Sequence, residues 1–251
     1  MSYYIELLIE LTRKEIKVRY KNSYFGYLWS IANPLALALV FFFAMKLIMK
    51  VPHEDYALFL ICGLFPWQWF QNSVTASATT FIGNATLIKK VYFPRELLIS
   101  AMVLSDLVHF LVCIPIIISF VYVYGKTPSP IWFVGLPLLI IIQLMMTFGL
   151  SLLVSTINLF FRDMERFILV ILTLLFYCTP VIYSASDVPG KFRAYMNLNP
   201  MFPLINAYRE LLLLNTLDIS QMLISFGYGV ILLLLGYLVY SRLKWRFAEL
   251  V

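Results

Sequence analysis

The sequence predicts an all-α polytopic membrane protein with six transmembrane helices, an amphipathic interface helix ahead of them and re-entrant external helices before the last span. Three observations carry this. Of 251 residues, 62% are hydrophobic and 13% charged, against about 45–50% apolar and about 25% charged in a soluble domain. Apolar runs on the scale of a bilayer crossing, about 20 residues each, recur six times along the chain. The N-terminal segment is periodic yet too charged to enter hydrocarbon. The remainder suffices for loops and one surface helix but no second soluble domain, so residues 1–251 read as a single transmembrane domain. A disordered, collagen-like or disulfide-rich secreted chain is excluded. A nucleic-acid reader is excluded too, despite the net charge of +6, because the basic residues sit beside apolar runs instead of along one exposed stripe.

Residues 4–21 form the interface helix. At 100° per residue, Glu6, Glu10, Arg13, Lys14, Lys17 and Lys21 share one sector and Ile5, Leu8, Ile9, Thr12, Ile16 and Tyr20 the opposite one. A basic face over an apolar underside suits the membrane–water boundary; an ordinary soluble amphipathic helix is the alternative. The stretch has no charged n-region before a short apolar core, so no cleavable signal is expected.

The spans follow in order. Residues 31–49 open at Asn33-Pro34 and carry Lys46 near the far end, where a long stem snorkels to water. Residues 56–88 read as one long span that changes midway from apolar YALFLICGLFPWQWF to small and hydroxylated QNSVTASATT. That second half suits packing against other helices or a polar cavity. Residues 97–124, 131–161 and the short 167–183 are the third to fifth spans. Residues 184–218 carry Pro189, Gly190, Pro200 and Pro203. So apolar and so interrupted a segment is either an exposed loop or a re-entrant helical hairpin, the latter favoured because non-helical backbone at membrane depth must be buried in protein or line water. Residues 222–240 are the sixth span.

Charge sets the orientation. Six spans leave both termini on one side with the 89–96 and 162–166 loops, and that side collects thirteen of the Lys and Arg residues against six on the other. Positive charge stays inside, which makes both termini cytoplasmic.

The chain carries no G-x-x-x-x-G-K-[ST] phosphate cradle, no H-E-x-x-H, no Cys-x-x-Cys and no G-x-S-x-G. No metal site and no cofactor of its own is expected, and Cys62, Cys113 and Cys178 read as packing residues. Intramembrane Asp106 and His109, at i and i+3, are helix-face neighbours. They form either a relay or substrate contact, or a mutually satisfied buried polar pair that fixes packing. Aromatic residues make up 17% of the chain. Much of that is interfacial belt, but Tyr24, Tyr27 and Trp29 at the inner mouth, Trp67 and Trp69 in the second span, and Tyr177 and Tyr183 in the fifth stand where a channel can use them. A sugar's C–H face packs on an aromatic face, and weak repeated contacts suit a moving glycan. Between two long helices, a short cytoplasmic helix with Tyr92, Phe93 and Pro94 flanked by Lys89, Lys90, Arg95 and Glu96 is either a partner-docking knob or a plain positive-inside loop.

These residues resemble the membrane subunits of type-2 ABC exporters for O-antigen, capsule and teichoic acid polysaccharides. The resemblance covers nearly the whole chain. It rests on RYKNSYFGYLW (19–29) leading to Asn33-Pro34, on GLFPW (63–67), on LIKKVYFPRE (87–96), on Gly149-Leu150-Ser151, on Phe161-Arg162-Asp163, on Thr179-Pro180-Val181-Ile182-Tyr183, on Asn199-Pro200 and on Arg209-Glu210. One departure is Phe25, where a leucine is expected before the glycine, which makes the inner mouth more aromatic.

The resemblance implies a homodimer with two separate cytoplasmic ABC ATPase subunits that bind the ATP, in the bacterial inner membrane. It implies a coupling segment at 89–96, an N-terminal helix lying on the membrane lipids, external gate helices at 184–218, and a lipid-linked polysaccharide passing between two protomers. Two other functions compete. A multi-pass transferase acting on lipid-linked sugars needs an acid/base pair, for which Asp106/His109 and Glu54/Asp55 qualify. A type-2 ABC drug or lipid exporter shares the architecture.

Overall fold

The computed structural model describes residues 2–21, 24–26, 28–50 and 55–247, without the side chains of residues 2 and 192–194. Tyr27 and Glu54 of the sequence-based expectations lie outside the described residues. Every element among the described residues is helical: α1 (Ser2–Arg19), α2 (Leu28–Phe42) running on as a π-helix (Phe43–Ile48), α3 (Tyr56–Gly83), α4 (Ala85–Lys90), α5 (Glu96–Val123), α6 (Trp132–Phe160), α7 (Met164–Cys178), α8 (Gly190–Met196), α9 (Met201–Leu214) and α10 (Ile219–Leu243), with 3₁₀ turns at Ala185–Asp187 and Lys244–Arg246.

Four stretches are long and apolar enough to cross a membrane: Leu28–Ile48, Glu96–Val123, Trp132–Phe160 and Ile219–Arg246. The other two expected spans differ from the sequence expectation, each for a local reason. The 56–88 segment is two helices. Asn84 closes α3 by placing its backbone N–H and its side-chain amide both on the Thr80 carbonyl (3.2 and 2.9 Å), and a new turn starts from the Asn84 carbonyl. The expected 167–183 span is instead the 15-residue α7, about 22 Å at a 1.5 Å rise. It starts early because Asn158 Oδ1 accepts the Glu165 N–H at 3.1 Å. It stops at Thr179, whose extended backbone (ψ 135°) is what a following proline imposes.

Helix α3 is the axis of the bundle, packed against α2, α5, α6, α7 and α9. Shielded on so many sides, it tolerates amides and hydroxyls that a lipid-facing helix does not. Helix α6 is tied to it by two buried amides, Gln143 Nε2 to the Pro66 carbonyl (2.8 Å) and Asn158 Nδ2 to the Ala78 carbonyl (2.7 Å). On its other side α6 crosses α10 at glycines. A Cβ on Gly149 would stand 2.5 Å from the Leu232–Leu233 backbone, and one on Gly236 would strike the Gly149 carbonyl. Backbones meet this closely only where neither residue has a side chain.

Helix α1, expected over 4–21, spans 2–19 and packs on α5 through buried Leu11, leaving Ile5, Ile9 and Val18 uncovered. Within 184–218, α9 drives inward: Met201, Leu204, Ile205, Tyr208 and Leu211 are fully enclosed, and the Tyr208 ring meets Phe110 of α5 edge-on at 6.0 Å. The short helix expected around Tyr92–Pro94 is displaced. It lies at 85–90, and 91–95 is an irregular link because Pro94 has no N–H to donate and disfavours helical backbone at Phe93. Helix α5 starts at Glu96, with the Leu97 N–H on the Pro94 carbonyl at 3.1 Å.

Candidate functional site

A cavity of about 740 Å³ lies among α1, α2, α3 and α5, with Leu169 of α7 also in its wall. That is the size range of sites that enclose a small ligand, about 300–1,000 Å³. Helix α3 supplies Gln68, Gln71, Asn72 and Thr75, a row at helical spacing and hence one face. Ser73 and Ser77, on another face of the same helix, are buried in the packing instead. The polar half of α3 therefore faces both a cavity and its neighbours. Helix α2 adds Trp29, Ser30 and Asn33, and α5 adds Asp106, His109, Phe110 and Cys113.

Asp106 is buried at 2% exposure, yet it does not pair with His109. Its Oδ1 forms an ion pair with Arg19 Nη1 at the end of α1, and its Oδ2 accepts from Ser73 Oγ at 2.8 Å. His109, half-buried, meets Tyr20 instead, with the phenol oxygen 3.4 Å from Nε2 and the rings edge-on at 5.4 Å. The expected mutual pair gives way because α1 brings a guanidinium that is charged at any working pH, which satisfies a buried carboxylate better than a neutral imidazole does. One face of α5 is thus anchored to Arg19, the last residue of α1, and to Tyr20 just beyond it.

Of the seven aromatic residues expected along a channel, Trp29 and Trp69 line this cavity. Trp69 stacks on Phe110 at 5.2 Å, and its buried indole N–H has no hydrogen-bond acceptor. Trp67 is turned into the core, its Nε1 on Gln71 Oε1 (2.8 Å) and its ring 5.5 Å from Phe176. Tyr24 is fully exposed, and Tyr177 lies open on α7. The Tyr183 hydroxyl is held by the Tyr177 carbonyl at 3.0 Å. Tyr27 lies outside the described residues. The sequence marked Asp106 and the polar second half of α3, and the 68, 71, 72, 75 spacing was a signal for the row of amides, but the place of Arg19 beside Asp106 went unnoticed.

The 89–96 segment is divided in use. Lys89, Lys90 and Tyr92 are exposed, Tyr92 completely. Phe93 is buried in a cluster with Phe81, Ile88 and Phe247, and Pro94 is half-buried. Arg95 donates to the Lys244 carbonyl at 2.7 Å, while Glu96 accepts from the Tyr240 hydroxyl. Among the described residues no cluster of His, Cys, Asp and Glu is arranged to hold a metal ion.

Residues 6–213 match the ABC-2 type transporter family. The chain belongs to that family. It is 46% identical over 251 residues, the whole of this chain and 97% of the relative, to the O-antigen export system permease protein RfbA of Klebsiella pneumoniae. It is 32% identical over 250 residues to the RfbA of Myxococcus xanthus, covering 98% of this chain and 95% of that one. It is 23% identical over 200 residues to the polysialic acid transport protein KpsM of Escherichia coli, covering 78% and 77%.

This ABC-2 chain has a second polar centre on the far side of α3. Arg209 of α9 is buried, with its guanidinium carbon 3.6 Å above the centre of the Phe59 ring. It donates to the carbonyls of Phe59, Pro180 and Val181. Gly63 makes the room: a Cβ there would sit 2.8 Å from Arg209 Nη2. The carbonyls it serves lie around Pro180, where helical bonding lapses, so one side chain binds α9 to α3 and to the end of α7. In the sequence Arg209 stood out only as half of the Arg209-Glu210 motif, with no sign of this role.

Proposed function

We propose that this membrane protein is the permease subunit of an ATP-driven exporter of lipid-linked polysaccharide, working as a homodimer with two separate cytoplasmic ATPase subunits in the bacterial inner membrane. The observation that carries this is the full-length likeness to O-antigen export permeases. The chemistry of the cavity agrees with it: indoles beside a row of amides and the hydroxyls of Ser30 and Thr75 are the groups that hold sugar faces and hydroxyls. ATP binding would close the ATPases, the exposed Lys89–Tyr92 corner would receive the motion, and the glycan would pass outward between protomers.

In this reading all six long segments span the membrane. The polar α3 crosses within a sheath of neighbours, and the short α7 crosses beside it. Both termini and the α4–α5 link are cytoplasmic, α1 lies in the interface, and α8 and α9 form the external gate. The enclosed face of α9 supports a re-entrant position. The transferase alternative has less support, since both oxygens of Asp106 are engaged and Asp55 pairs with Lys126 at 2.9 Å.

The test is a deletion strain. Loss of the chain should leave lipid-linked glycan intact and accumulating on the cytoplasmic face, with none at the cell surface. Accumulation of a small drug or a plain lipid would point to another cargo, and absence of the finished glycan to a synthetic enzyme.

A further inference from the structure

A second segment, about 150 residues downstream, stands beside the Lys89–Tyr92 corner. Arg95 donates to the carbonyl of Lys244 at 2.7 Å and lies 5.7 Å from the centre of the Phe247 ring. Phe247 is fully buried, 5.0 Å from Phe81 of α3 and 5.7 Å from Tyr240 of α10. Glu96 takes the Tyr240 hydroxyl. The turn at Lys244–Arg246 is thus pinned at both ends, through its first carbonyl and through the residue that follows it. What it leaves outside is Trp245, 79% exposed, next to exposed Arg246. On the other strand of the junction Tyr92 is 100% exposed, next to exposed Lys89 and Lys90.

We propose that Tyr92 and Trp245 are two anchors of one docking surface, to which the C-terminal turn contributes as much as the α4–α5 link, and that its occupant is the ATPase partner. The inference rests on the reading that such a partner exists. Aromatic anchors ringed by cations fit an apolar cleft with an acidic rim. Exposed rings held on buried pins lose little freedom on binding, which is how a surface transmits force instead of yielding to it. A lipid surface needs no pinning of this kind. Helices α3 and α5 have 28 residues each, about 42 Å of length against about 30 Å of hydrocarbon, so their shared end has reach beyond the bilayer core.

The experiment co-expresses the chain with its ATPase, extracts the complex, and measures ATPase recovered per permease together with permease content of the membrane. Trp245→Ala and Tyr92→Ala should each lower recovery about tenfold, the loss typical of an aromatic anchor, with permease content unchanged. Trp245→Phe should restore most of it. If Trp245→Ala recovers as much ATPase as the unaltered chain while Tyr92→Ala does not, the C-terminal turn is no part of the surface. If Trp245→Ala lowers permease content but not recovery per permease, Trp245 belongs to the membrane and the proposal is overturned. If the unaltered chain recovers no ATPase, the underlying functional reading fails instead.

Discussion

Arg19, at the last residue of α1, forms an ion pair with Asp106 near the middle of α5, across a gap of 87 residues in sequence. The carboxylate is buried and its partner is partly open to water, so the two are unequal. Removing the arginine strands a charge inside, whereas removing the carboxylate frees a cation that solvent can still reach. Arg19→Ala is therefore expected to destabilise the detergent-solubilised protein by about 3 kcal/mol, the low end for a buried pair because Arg19 is partly exposed, and Asp106→Asn by less. The double variant Arg19→Leu/Asp106→Leu should recover part of the loss. Thermal unfolding of all three checks the order.

The α6–α10 crossing predicts a backbone collision. Gly236→Ala places a methyl against the Gly149 carbonyl, and no flexible side chain there can give way. A loss of about 1–3 kcal/mol is expected for either glycine. Gly227, which has open space around its Cβ direction, should accept alanine without loss. Unfolding midpoints of Gly149→Ala, Gly236→Ala and Gly227→Ala separate the two cases.

Arg209 predicts an effect that charge alone does not rescue. Arg209→Gln leaves carbonyls of Phe59, Pro180 and Val181 short of donors, at about 1–3 kcal/mol for buried groups left unpaired. Arg209→Lys keeps the cation but loses the planar fork and its fit over Phe59. Both variants should lower the unfolding midpoint, lysine nearly as much as glutamine, and protease access at residues 179–184 should rise.

Adjacent residues of the α4–α5 link predict opposite outcomes. Phe93 is buried, so Phe93→Ala is expected to cost about 3 kcal/mol as a core truncation and to reduce the amount of folded chain. Tyr92→Ala should leave the unfolding midpoint unchanged. Circular dichroism melts in detergent distinguish these without any partner present.

Much of this molecule is legible locally. The stop of α7 follows from Thr179-Pro180 and the start of α5 from Pro94, because proline acts on its own neighbours. The polar row of α3 follows from spacing alone. Spacing also excludes Trp67 and Trp69 from a common wall, since residues two apart on a helix do not share a face. What the sequence hid is contact between distant segments. Nothing near Asp106 announces Arg19, and nothing near Arg95 announces Lys244. The rotation of α2 and α7, which decides whether Trp29 lines a cavity and Tyr177 faces outward, is set by packing against α3. The buried role of Arg209 depends on the space left by Gly63, which no periodicity reveals.

The most direct measurement uses sealed inside-out membrane vesicles holding the permease, with and without the ATPase, supplied with labelled lipid-linked glycan. Labelled glycan should enter the lumen only when both chains and hydrolysable ATP are present. It should fall about tenfold with Gln68→Leu/Asn72→Leu in the cavity, the equivalent of one or two lost hydrogen bonds of about 1 kcal/mol each. Accumulation against a gradient by the permease alone, or undiminished transport with no ATPase present, would contradict the account.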